Sequence, residues 1–351
     1  MNIWKTKHNN PGQCRGGFQT RPLRDVALGY RSDMREITYD QAAGEAIREA
    51  FRGDPRTVYM GTDPVLDMRE EFGADRVRLT PIAENSFVGA AIGLAGSGFR
   101  AVVNLRMATF GFVAMDQMIN HAAKITYMFG GQAKFPILIR MTVGAGFSGA
   151  AEHSISPYAM FMNAPGLKII LPSTPYDVKG LLKTALRDNN PVISFEPFLL
   201  GGMKGAVPED EYFVPFGKAA VRRKGTDLTI VALGYMTQIA LEAAEELAKS
   251  GVSAEVIDPR TLVPMDTAAI LRSVRKTGRL VIVDEACQTC GAAAEIMARV
   301  ASDKNAFGAM KAAPARVCGL DVPIPFSPPM ERYAIPDKAK IIKAVKSVMK
   351  S

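Results

Sequence analysis

Short apolar segments alternate with longer amphipathic segments along most of the chain, starting near Met34. In the first half, the apolar segments predict strands at 57–60, 101–105, 136–140, 168–171 and 192–195. The segments between them predict helices from about 43 to 50, with Asp40 as the N-terminal cap, from 115 to 128 and from 175 to 187. Short apolar strands that alternate with helices are typical of a parallel sheet covered on both faces. We therefore predict an α/β domain.

The second half repeats this alternation after an irregular segment. Residues 197 to 217 contain glycine and proline without hydrophobic periodicity. Beyond them, strands are predicted at 228–233, 254–257 and 280–283, and helices near 236–250, 266–275, 291–301 and 337–349. The pattern predicts two α/β domains, 34–200 and 217–351, joined by a linker at 201–216. Residues 1–33, rich in Asn, Gly, Arg and Gln, are expected to be a disordered N-terminal extension, and a start codon assigned too early would also explain them.

Composition and charge narrow the class of protein. Of the 351 residues, 48% are hydrophobic and 22% are charged, which is typical of a globular protein with a core. The net charge is +8, but residues 1 to 35 hold seven Lys or Arg against two Asp, which leaves 36 basic and 33 acidic residues elsewhere. This balance predicts no nucleic-acid partner. No apolar run reaches the roughly 20 residues that span a bilayer, and a hydrophobic secretory segment is lacking, so a cytoplasmic location is expected.

Cysteines and glycines form two weak motifs. The four cysteines, at 14, 287, 290 and 318, are too few for a disulfide framework in a chain of this size. The pair Cys287 and Cys290 lacks a second pair or a nearby histidine to complete a zinc site, so packing at the start of a helix is favoured over a redox dithiol. The glycines at 89, 93, 96 and 98 do not match a phosphate-binding loop. The spacing of Gly89 and Gly93 instead favours the close approach of two helices.

A single acid, Glu84, opens an apolar segment of small residues that runs to Ala95. Beyond Asn85 and Ser86, the residues that follow carry no charge to balance it and little polar surface to solvate it. Burying a carboxylate without a partner costs free energy. A ligand that needs a carboxylate would explain this residue.

Histidine is scarce, and only His153 falls in a predicted loop of the folded body. The loop is rich in glycine and follows the strand 136–140, at the edge where open α/β sheets bind ligands. An imidazole there can transfer protons near neutral pH, although a histidine satisfied by structural hydrogen bonds is an equal alternative. The adjacent Ser154 lacks the Gly-x-Ser-x-Gly turn, so a hydrolase is disfavoured.

Several ordered segments resemble the β subunit of the thiamine-diphosphate-dependent E1 component of 2-oxo acid dehydrogenase complexes. The resemblance runs from about Met34 to the C-terminus. Its segments are the Glu84 stretch, Asp-Gln-Met-Ile-Asn at 116–120, Tyr-Met-Phe-Gly-Gly at 127–131, His153-Ser154, Pro-Gly-Leu-Lys at 165–168, Arg-Asp-Asn-Asn-Pro-Val at 187–192, Asp-Pro-Arg-Thr-Leu at 258–262 and Pro-Ile-Pro-Phe-Ser-Pro at 323–328. It implies two three-layer α/β domains, a transketolase-like pyrimidine-binding domain followed by a transketolase C-terminal domain.

The resemblance also implies roles for three side chains. In that family, the glutamate at the position of Glu84 hydrogen-bonds N1′ of the cofactor's aminopyrimidine and favours the imino tautomer that activates the thiazolium. Phe110 matches the residue that stacks on the aminopyrimidine, and a core phenylalanine is its structural alternative. His153 matches the active-site histidine, which is expected to transfer protons when the acyl fragment reacts with lipoamide.

Metals and partners are implied in the same way. Ile137, Ala185, Asp188 and Asn190 match positions around a structural potassium ion, although ordinary strand and helix-end roles would also explain them. The family binds the cofactor's diphosphate through Mg²⁺ with a Gly-Asp-Gly motif, which is absent from this sequence. An α subunit that carries the motif is therefore implied, in an α2β2 heterotetramer that passes the acyl group to the lipoyl domain and core of E2.

Two departures distinguish this sequence from the usual family pattern. Thr62 follows Gly61 where an acid is common, and Glu152 and Ile155 occupy loop positions where glutamine is common. These differences make a specialised substrate plausible.

The implied enzyme is an E1 that cleaves a C–C bond beside a carbonyl. Its substrate is pyruvate, a branched-chain 2-oxo acid, acetoin or another diketone, and the sequence does not choose among them. A split transketolase and a noncatalytic structural subunit are the alternatives. The scarcity of histidine disfavours the first, and the presence of all three matched side chains disfavours the second.

Overall fold

Residues 34–63 and 66–350 are described by a computed structural model of the chain. The strands are β1 (Met34–Thr38), β2 (Thr57–Gly61), β3 (Val77–Leu79), β4 (Arg100–Met107), β5 (Ile137–Val143), β6 (Lys168–Ile170), β7 (Val192–Pro197), β8 (Lys204–Pro208), β9 (Ala220–Arg223), β10 (Leu228–Ala232), β11 (Ala254–Asp258), β12 (Thr261–Val263), β13 (Leu280–Cys287) and β14 (Ala315–Gly319). The predicted extension at 1–33 lies outside the described residues.

Helices of three kinds connect these strands. The α-helices are α1 (Tyr39–Gly53), α2 (Leu66–Phe72), α3 (Glu84–Gly96), α4 (Phe110–Val113), α5 (Ile125–Met128), α6 (Ala150–His153), α7 (Tyr158–Met162), α8 (Pro175–Ala185), α9 (Met236–Lys249), α10 (Thr267–Thr277), α11 (Ala292–Ser302), α12 (Lys304–Gly308), α13 (Pro328–Ala334) and α14 (Lys338–Lys350). A π-helix spans Asp116–Ala122, and a 3-10 helix spans Phe198–Leu200. Among the described helices, none combines the length and the apolar character needed to cross a bilayer.

Seven strands form the first sheet, in the order β12-β6-β7-β5-β4-β2-β3. All neighbours pair in parallel except β12, which runs antiparallel to β6. Since successive residues of a strand face opposite sides, Val102 and Leu138 pack with α1 and α8, whereas Val103 and Ile139 pack with α3 and the π-helix. The predicted parallel sheet between two helical layers is confirmed.

The second sheet has five strands in the order β14-β13-β10-β11-β9. Four of these strands, β14, β13, β10 and β11, pair in parallel in that order. The edge strand β9 runs antiparallel to β11. Ile230 faces a core shared with α9 and α14, and Val231 faces a core shared with α10 and α11. The second predicted α/β layer structure is also confirmed.

The two sheets share structure across their junction. One continuous apolar cluster contains Val103 and Ile193 from the first sheet together with Val231 and Ile282 from the second. The edge strand β12 follows β11 of the second sheet but pairs with β6 of the first. Each sheet therefore depends on residues from both halves of the chain.

Buried charges also cross this junction. The Arg222 guanidinium contacts Asp258 at 2.7 Å and also pairs with Asp177, and Arg260 reaches Asp177 at 3.2 Å. Both aspartates are fully buried, and burial raises the pKa of Asp258 while Arg222 acts against that rise. Removing a cation from such a group would leave a carboxylate buried and unpaired.

Helix α1 begins differently from the prediction. Thr38, not Asp40, is the N-cap: its hydroxyl accepts a hydrogen bond from the Gln41 N–H at 3.2 Å, and Gln41 Oε1 accepts one from the Thr38 N–H at 2.9 Å. This reciprocal pair is a capping box. Asp40 lies in the first turn instead.

Two other predicted segments differ from the structure. The single helix expected over 115–128 is wrong, because its first part is the π-helix, in which the Ala123 N–H donates to Met118 O at 3.0 Å, and α5 follows separately. The segment 201–216, expected as a linker, contains β8, which pairs antiparallel with β1. Pairing with a strand nearly 170 residues away leaves no local pattern in the sequence.

Candidate active site

Glu84 is the first residue of α3, and its side chain is 7% exposed. The preceding Ala83 provides no side-chain cap, and no hydrogen bond or ion pair joins the Glu84 carboxylate to any residue that the structure describes. The partial positive charge of a helix N-terminus favours a carboxylate at this place. The remaining acceptor capacity of a nearly buried carboxylate suits a ligand that donates a hydrogen bond.

Phe110 and His153 come together from different segments. Phe110 begins α4 immediately after β4, and His153 ends α6 after the glycine-rich loop that follows β5. Their ring centroids are 5.5 Å apart with an interplanar angle of 87°, which is an edge-to-face contact. Both side chains are half-buried. The structure thus joins two of the three predicted side chains directly, and α4 also packs against α3, which carries Glu84.

Two buried hydroxyls lie beside these rings in the sequence. Thr109 Oγ1 precedes Phe110 and Ser154 Oγ follows His153, and neither atom has a hydrogen-bond partner among the described residues. Buried polar atoms are usually paired. Their position next to Phe110 and His153 is consistent with a ligand or a partner chain at this surface.

The loop that leads to His153 has an unusual backbone. Gly144 and Gly146 have φ of 99° and 105°, and Ser148 and Ala150 have φ of 59° and 58°. Residues other than glycine rarely adopt a positive φ, and such strain persists where surrounding contacts enforce it. The contacts around this loop come from both halves of the chain, since Phe147 stacks on Phe198 and Glu331 binds the amides of the loop.

Two buried carboxylates of the C-terminal half contact this loop. The Glu331 carboxylate accepts hydrogen bonds from the N–H groups of Gly146 at 2.8 Å and Ser148 at 3.0 Å. The Glu285 carboxylate accepts one from the Ser156 hydroxyl at 3.0 Å. Burial, with the neighbouring negative charge of Asp284, raises the pKa of Glu285 to about 7.

Large exposed apolar side chains lie next to Glu84 and Phe110 in the sequence and on α5. Ile82 is 85% exposed just before α3, and Val113 is exposed at the end of α4. Tyr127, Met128 and Phe129 are exposed at the end of α5. Clusters of large exposed apolar side chains are typical of protein interfaces.

Comparisons with known proteins identify the family of this chain. The family "Transketolase, pyrimidine binding domain" matches residues 35–200, and "Transketolase, C-terminal domain" matches residues 217–341. The chain is 45% identical over 334 residues to the acetoin:2,6-dichlorophenolindophenol oxidoreductase subunit beta of Cupriavidus necator, covering 90% of this chain and 98% of that relative. It is 38% identical over 328 residues to the 2-oxoisovalerate dehydrogenase subunit beta of Bacillus subtilis, covering 90% and 99%. The chain belongs to the transketolase-like family of E1 β subunits.

A further relative and a solved structure agree with this family. The pyruvate dehydrogenase E1 component subunit beta of Rickettsia felis is 40% identical over 322 residues, covering 89% of this chain and 98% of the relative. A split-gene transketolase, described as an inactive beta4 tetramer, aligns with a TM-score of 0.72 at 25% identity over 90% of this chain and 98% of that chain. The resemblance seen in the sequence is thereby confirmed.

In this E1 β-type chain, three of the four residues matched to a potassium site meet at one loop. The Asp188 N–H donates to Ala185 O at 3.1 Å, and the Asn190 N–H donates to Asp188 Oδ1 at 2.9 Å. Arg100 donates to the Asp188 carbonyl at 2.9 Å, and Lys168 pairs with the Asp188 carboxylate. Lys168 and Asn190 lower the pKa of Asp188 against the opposing effect of its burial.

The fourth of these residues, Ile137, begins β5. It lies two residues after Phe135, whose N–H donates to Asn189 O at 3.0 Å in the same loop. The four positions are therefore neighbours in space.

The Thr62 departure lies beside a polar cavity of 410 Å³ at the carboxyl ends of β2, β4, β5 and β7. The cavity is lined by Tyr39, Asp40, Asp63, Asn104, Arg106, Met107, Arg140, Met141, Thr142, Glu196, Pro197, Phe198, Gly201 and Gly202. Asp63 pairs with Arg106 and accepts a hydrogen bond from Asn104 at 3.2 Å. Glu84, Phe110 and His153 are not among its lining residues, so the predicted site is separate from this cavity.

Two minor predictions are corrected. Cys287, the last residue of β13, and Cys290, in the turn before α11, are both exposed and do not pack into the core. Among the described residues, no cluster of His, Cys, Asp and Glu is suited to a metal ion. A Cβ on Gly89 would lie 3.1 Å from Gln117 Oε1, which confirms a close approach to the π-helix, but Gly93 has open space around it.

The sequence did not reveal that Glu331 contacts the His153 loop, or that Glu285 pairs with Ser156. Glu331 is 2% exposed in the short helix α13, yet its partners lie 183 and 185 positions earlier in the chain. The one available signal was a charged residue, Glu331, three positions after the matched segment that ends at Pro328. A charged residue at this position does not show whether its carboxylate is buried against backbone amides or exposed to solvent.

Proposed function

We propose that this chain is the β subunit of a thiamine-diphosphate-dependent E1 enzyme. It would decarboxylate a 2-oxo acid, or cleave acetoin or a related diketone, and transfer the acyl group to lipoamide on E2. The nearly buried carboxylate of Glu84, which has no partner among the described residues, carries the proposal. The relatives named for acetoin are 45% and 43% identical, against 38% for the 2-oxoisovalerate relative, which favours testing acetoin first.

The three side chains fit one cofactor. When bound, thiamine diphosphate supplies the carbon nucleophile that attacks the substrate carbonyl. We assign Glu84 to accept a hydrogen bond from N1′ of the aminopyrimidine, because Glu84 is only 7% exposed and its carboxylate has no partner among the described residues. Phe110 would cover the face of the same ring, and its edge-to-face contact with His153 supports a shared site.

Transfer to lipoamide needs a proton, which we assign to His153. The lipoyl disulfide would accept two electrons as its S–S bond breaks: one sulfur bonds to the acyl carbon as the bond from that carbon to the cofactor breaks, and the other sulfur takes a proton. The His153 imidazole is half-buried beside Phe110, and an imidazolium there could donate that proton. The lipoyl group of an E2 partner must therefore reach the His153 loop.

An α subunit completes the site in this proposal. The sequence has no Gly-Asp-Gly motif to hold Mg²⁺ and diphosphate, and the relatives are named as beta subunits. The exposed apolar side chains next to Glu84 and Phe110 in the sequence and on α5 would be covered by that subunit in an α2β2 heterotetramer. We propose that the α subunit holds the diphosphate and Mg²⁺.

Potassium binding at the Asp188 loop is a separate proposal. The loop offers backbone and carboxylate oxygens from Ala185, Asp188 and Asn190, which suit a hard cation, although Arg100 and Lys168 already contact Asp188. If the oxygens bind K⁺, the thermal unfolding midpoint should be higher in KCl than in LiCl of equal concentration. Equal midpoints in the two salts would contradict the proposal.

Substitution of Glu84 tests the main proposal. The chain is co-expressed with the product of its neighbouring gene, and reduction of an artificial electron acceptor is measured with 2-oxo acids, acetoin and diketones. Glu84→Gln should lower turnover by about 100-fold or more, with assembly unchanged by size-exclusion chromatography. Glu70→Gln, a change at an exposed acid, is the matched control.

Two results would count against the proposal. Full activity of the Glu84→Gln complex would exclude the proposed contact with the cofactor. If no substrate supports dye reduction by the wild-type complex, a noncatalytic structural subunit is favoured. Ketol transfer between sugar phosphates is measured in parallel, because the structural similarity to a split-gene transketolase favours that activity as the second candidate.

A further inference from the structure

Glu331 links the two halves of the chain at the loop that carries His153. It lies on α13 and is 2% exposed. Its Oε1 accepts the Gly146 N–H at 2.8 Å, and its two oxygens accept the Ser148 N–H at 3.2 and 3.0 Å. Hydrogen bonds to an ionised acceptor are stronger than those between neutral groups. The buried Glu331 carboxylate thus binds two backbone amides of this loop.

The loop needs external contacts to keep its shape. Gly146 and Ser148, whose amides meet Glu331, both have positive φ, and so does Ala150 at the start of α6. A Cβ on Gly146 would lie 2.7 Å from Leu199 Cδ1, so the backbone is also close to its neighbours. A non-glycine residue at positive φ is held only by surrounding structure. Release of the two amides would allow the loop to relax.

A second contact fixes the loop beyond His153. The Ser156 hydroxyl donates to Glu285 at 3.0 Å, and the Gly144 N–H donates to Ile155 O at 3.3 Å. His153 consequently lies between two attachment points, one at Glu331 and one at Glu285. Both acids belong to the C-terminal half, whereas His153 belongs to the first half.

We propose that Glu331 is a positioning residue for His153. Its carboxylate holds the amides of Gly146 and Ser148, and this keeps the His153 ring edge-on to Phe110. Glu331 acts through the backbone, since its contacts are to amides and not to the imidazole. The effect of Glu331 on the position of His153 does not depend on the function proposed above. Only the effect on acyl transfer rests on that function.

The position of His153 is tested without any enzymatic activity. Diethyl pyrocarbonate modifies histidine side chains, and peptide mass spectrometry gives separate rates for His153 and the exposed His121 in the full-length chain. Glu331→Gln keeps the size of the side chain but removes its charge and one acceptor oxygen. The His153 rate should rise about tenfold, the effect of losing one charge-assisted hydrogen bond, while the His121 rate stays constant.

The matched control is Glu295→Gln. Glu295 is an exposed acid on α11 that pairs with Arg299 at 2.8 Å, and its loss should leave both histidine rates unchanged. A folded Glu331→Gln chain with the wild-type His153 rate would overturn the proposal. If Glu331→Gln does not fold, Glu331→Asp, which keeps the charge on a shorter side chain, is measured in its place. An unchanged His153 rate there would likewise overturn it.

The kinetic readout uses the complex with the α subunit. Glu331→Gln should lower acyl transfer to lipoamide about tenfold but leave dye reduction near the wild-type rate. The double variant with His153→Ala should transfer no more slowly than His153→Ala alone, because the two residues act as one unit. If Glu331→Gln transfers the acyl group to lipoamide at the wild-type rate, the proposal that Glu331 positions His153 is overturned. An inactive wild-type complex instead refutes the proposed function, and the modification rates still decide the role of Glu331.

Discussion

Replacement of Glu285 by Gln should remove a large part of the pH dependence of stability. Burial and the negative charge of Asp284 raise the pKa of Glu285 from 4.5 to about 7, although the Ser156 hydroxyl and the Ala145 N–H act against this rise. Between these two values the folded chain retains a proton that the unfolded chain has released. The free energy of unfolding therefore falls as pH rises from about 4.5 to 7. Above pH 7, Glu285 causes no further decrease.

The size of the effect follows from the pKa difference. A difference of about 2.5 between folded and unfolded chains corresponds to roughly 3 kcal/mol, at about 1.4 kcal/mol for each pKa unit. About 2 to 3 kcal/mol of this falls between pH 5 and pH 8, because the unfolded group is already partly ionised at pH 5. The glutamine side chain in the Glu285→Gln variant stays neutral throughout, and its oxygen can still accept the Ser156 hydrogen bond.

Urea unfolding followed by circular dichroism measures the difference. The stability of Glu285→Gln relative to wild type should be about 2 to 3 kcal/mol more favourable at pH 8 than at pH 5. Other titrating groups, including Asp284, are present in both chains and largely cancel. Glu295→Gln replaces an exposed acid and is the control. Its stability relative to wild type should differ between pH 5 and pH 8 by less than about 0.5 kcal/mol. Parallel pH profiles for Glu285→Gln and wild type would refute the reasoning.

Two further substitutions test the packing of charges and caps. Glu196→Gln should lower the free energy of unfolding by about 3 kcal/mol, because the carboxylate of the buried Glu196 accepts two hydrogen bonds from the half-buried Arg140, at 2.8 and 2.5 Å. A loss below about 1 kcal/mol in urea unfolding, by this estimate, would show that the pair is not desolvated. Thr38→Ala should cost about 1 kcal/mol by removing the capping box with Gln41. Thermal unfolding measures this change, and an unaltered midpoint would contradict it.

Local patterns were sufficient to predict most of the scaffold. Strand β5 was predicted from a short apolar run, and its residues are mostly buried, as expected of a strand inside a parallel sheet. Glu84 was found because a lone acid in an apolar helix has few structural explanations, and the structure buries it without a partner among the described residues. His153 was first singled out by its place in a glycine-rich loop after a strand, whereas Phe110 was found through the family resemblance alone. The contact between them could not be deduced from spacing.

Other features depend on contacts that no local pattern records. The π-helix at Asp116–Ala122 adds one residue to a turn, which a period of 3.6 residues does not predict. Glu331 reaches amides on the far side of the junction between the halves. Asp40 was a reasonable cap by residue type, but Thr38 forms the reciprocal hydrogen bonds with Gln41. In each case the observed structure depends on a specific contact that the sequence pattern does not reveal.

The pairing of β12 with β6 determines where this protein can be cut. A fragment that ends at residue 216 would lose β12 and leave the N–H and C=O groups of β6 unpaired along one edge. That edge carries Ile169 and Ile170, both of which are fully buried in the intact chain, and an open apolar edge promotes aggregation. The two halves cannot be exchanged between relatives as independent modules unless the exchanged piece brings a matching edge strand with it.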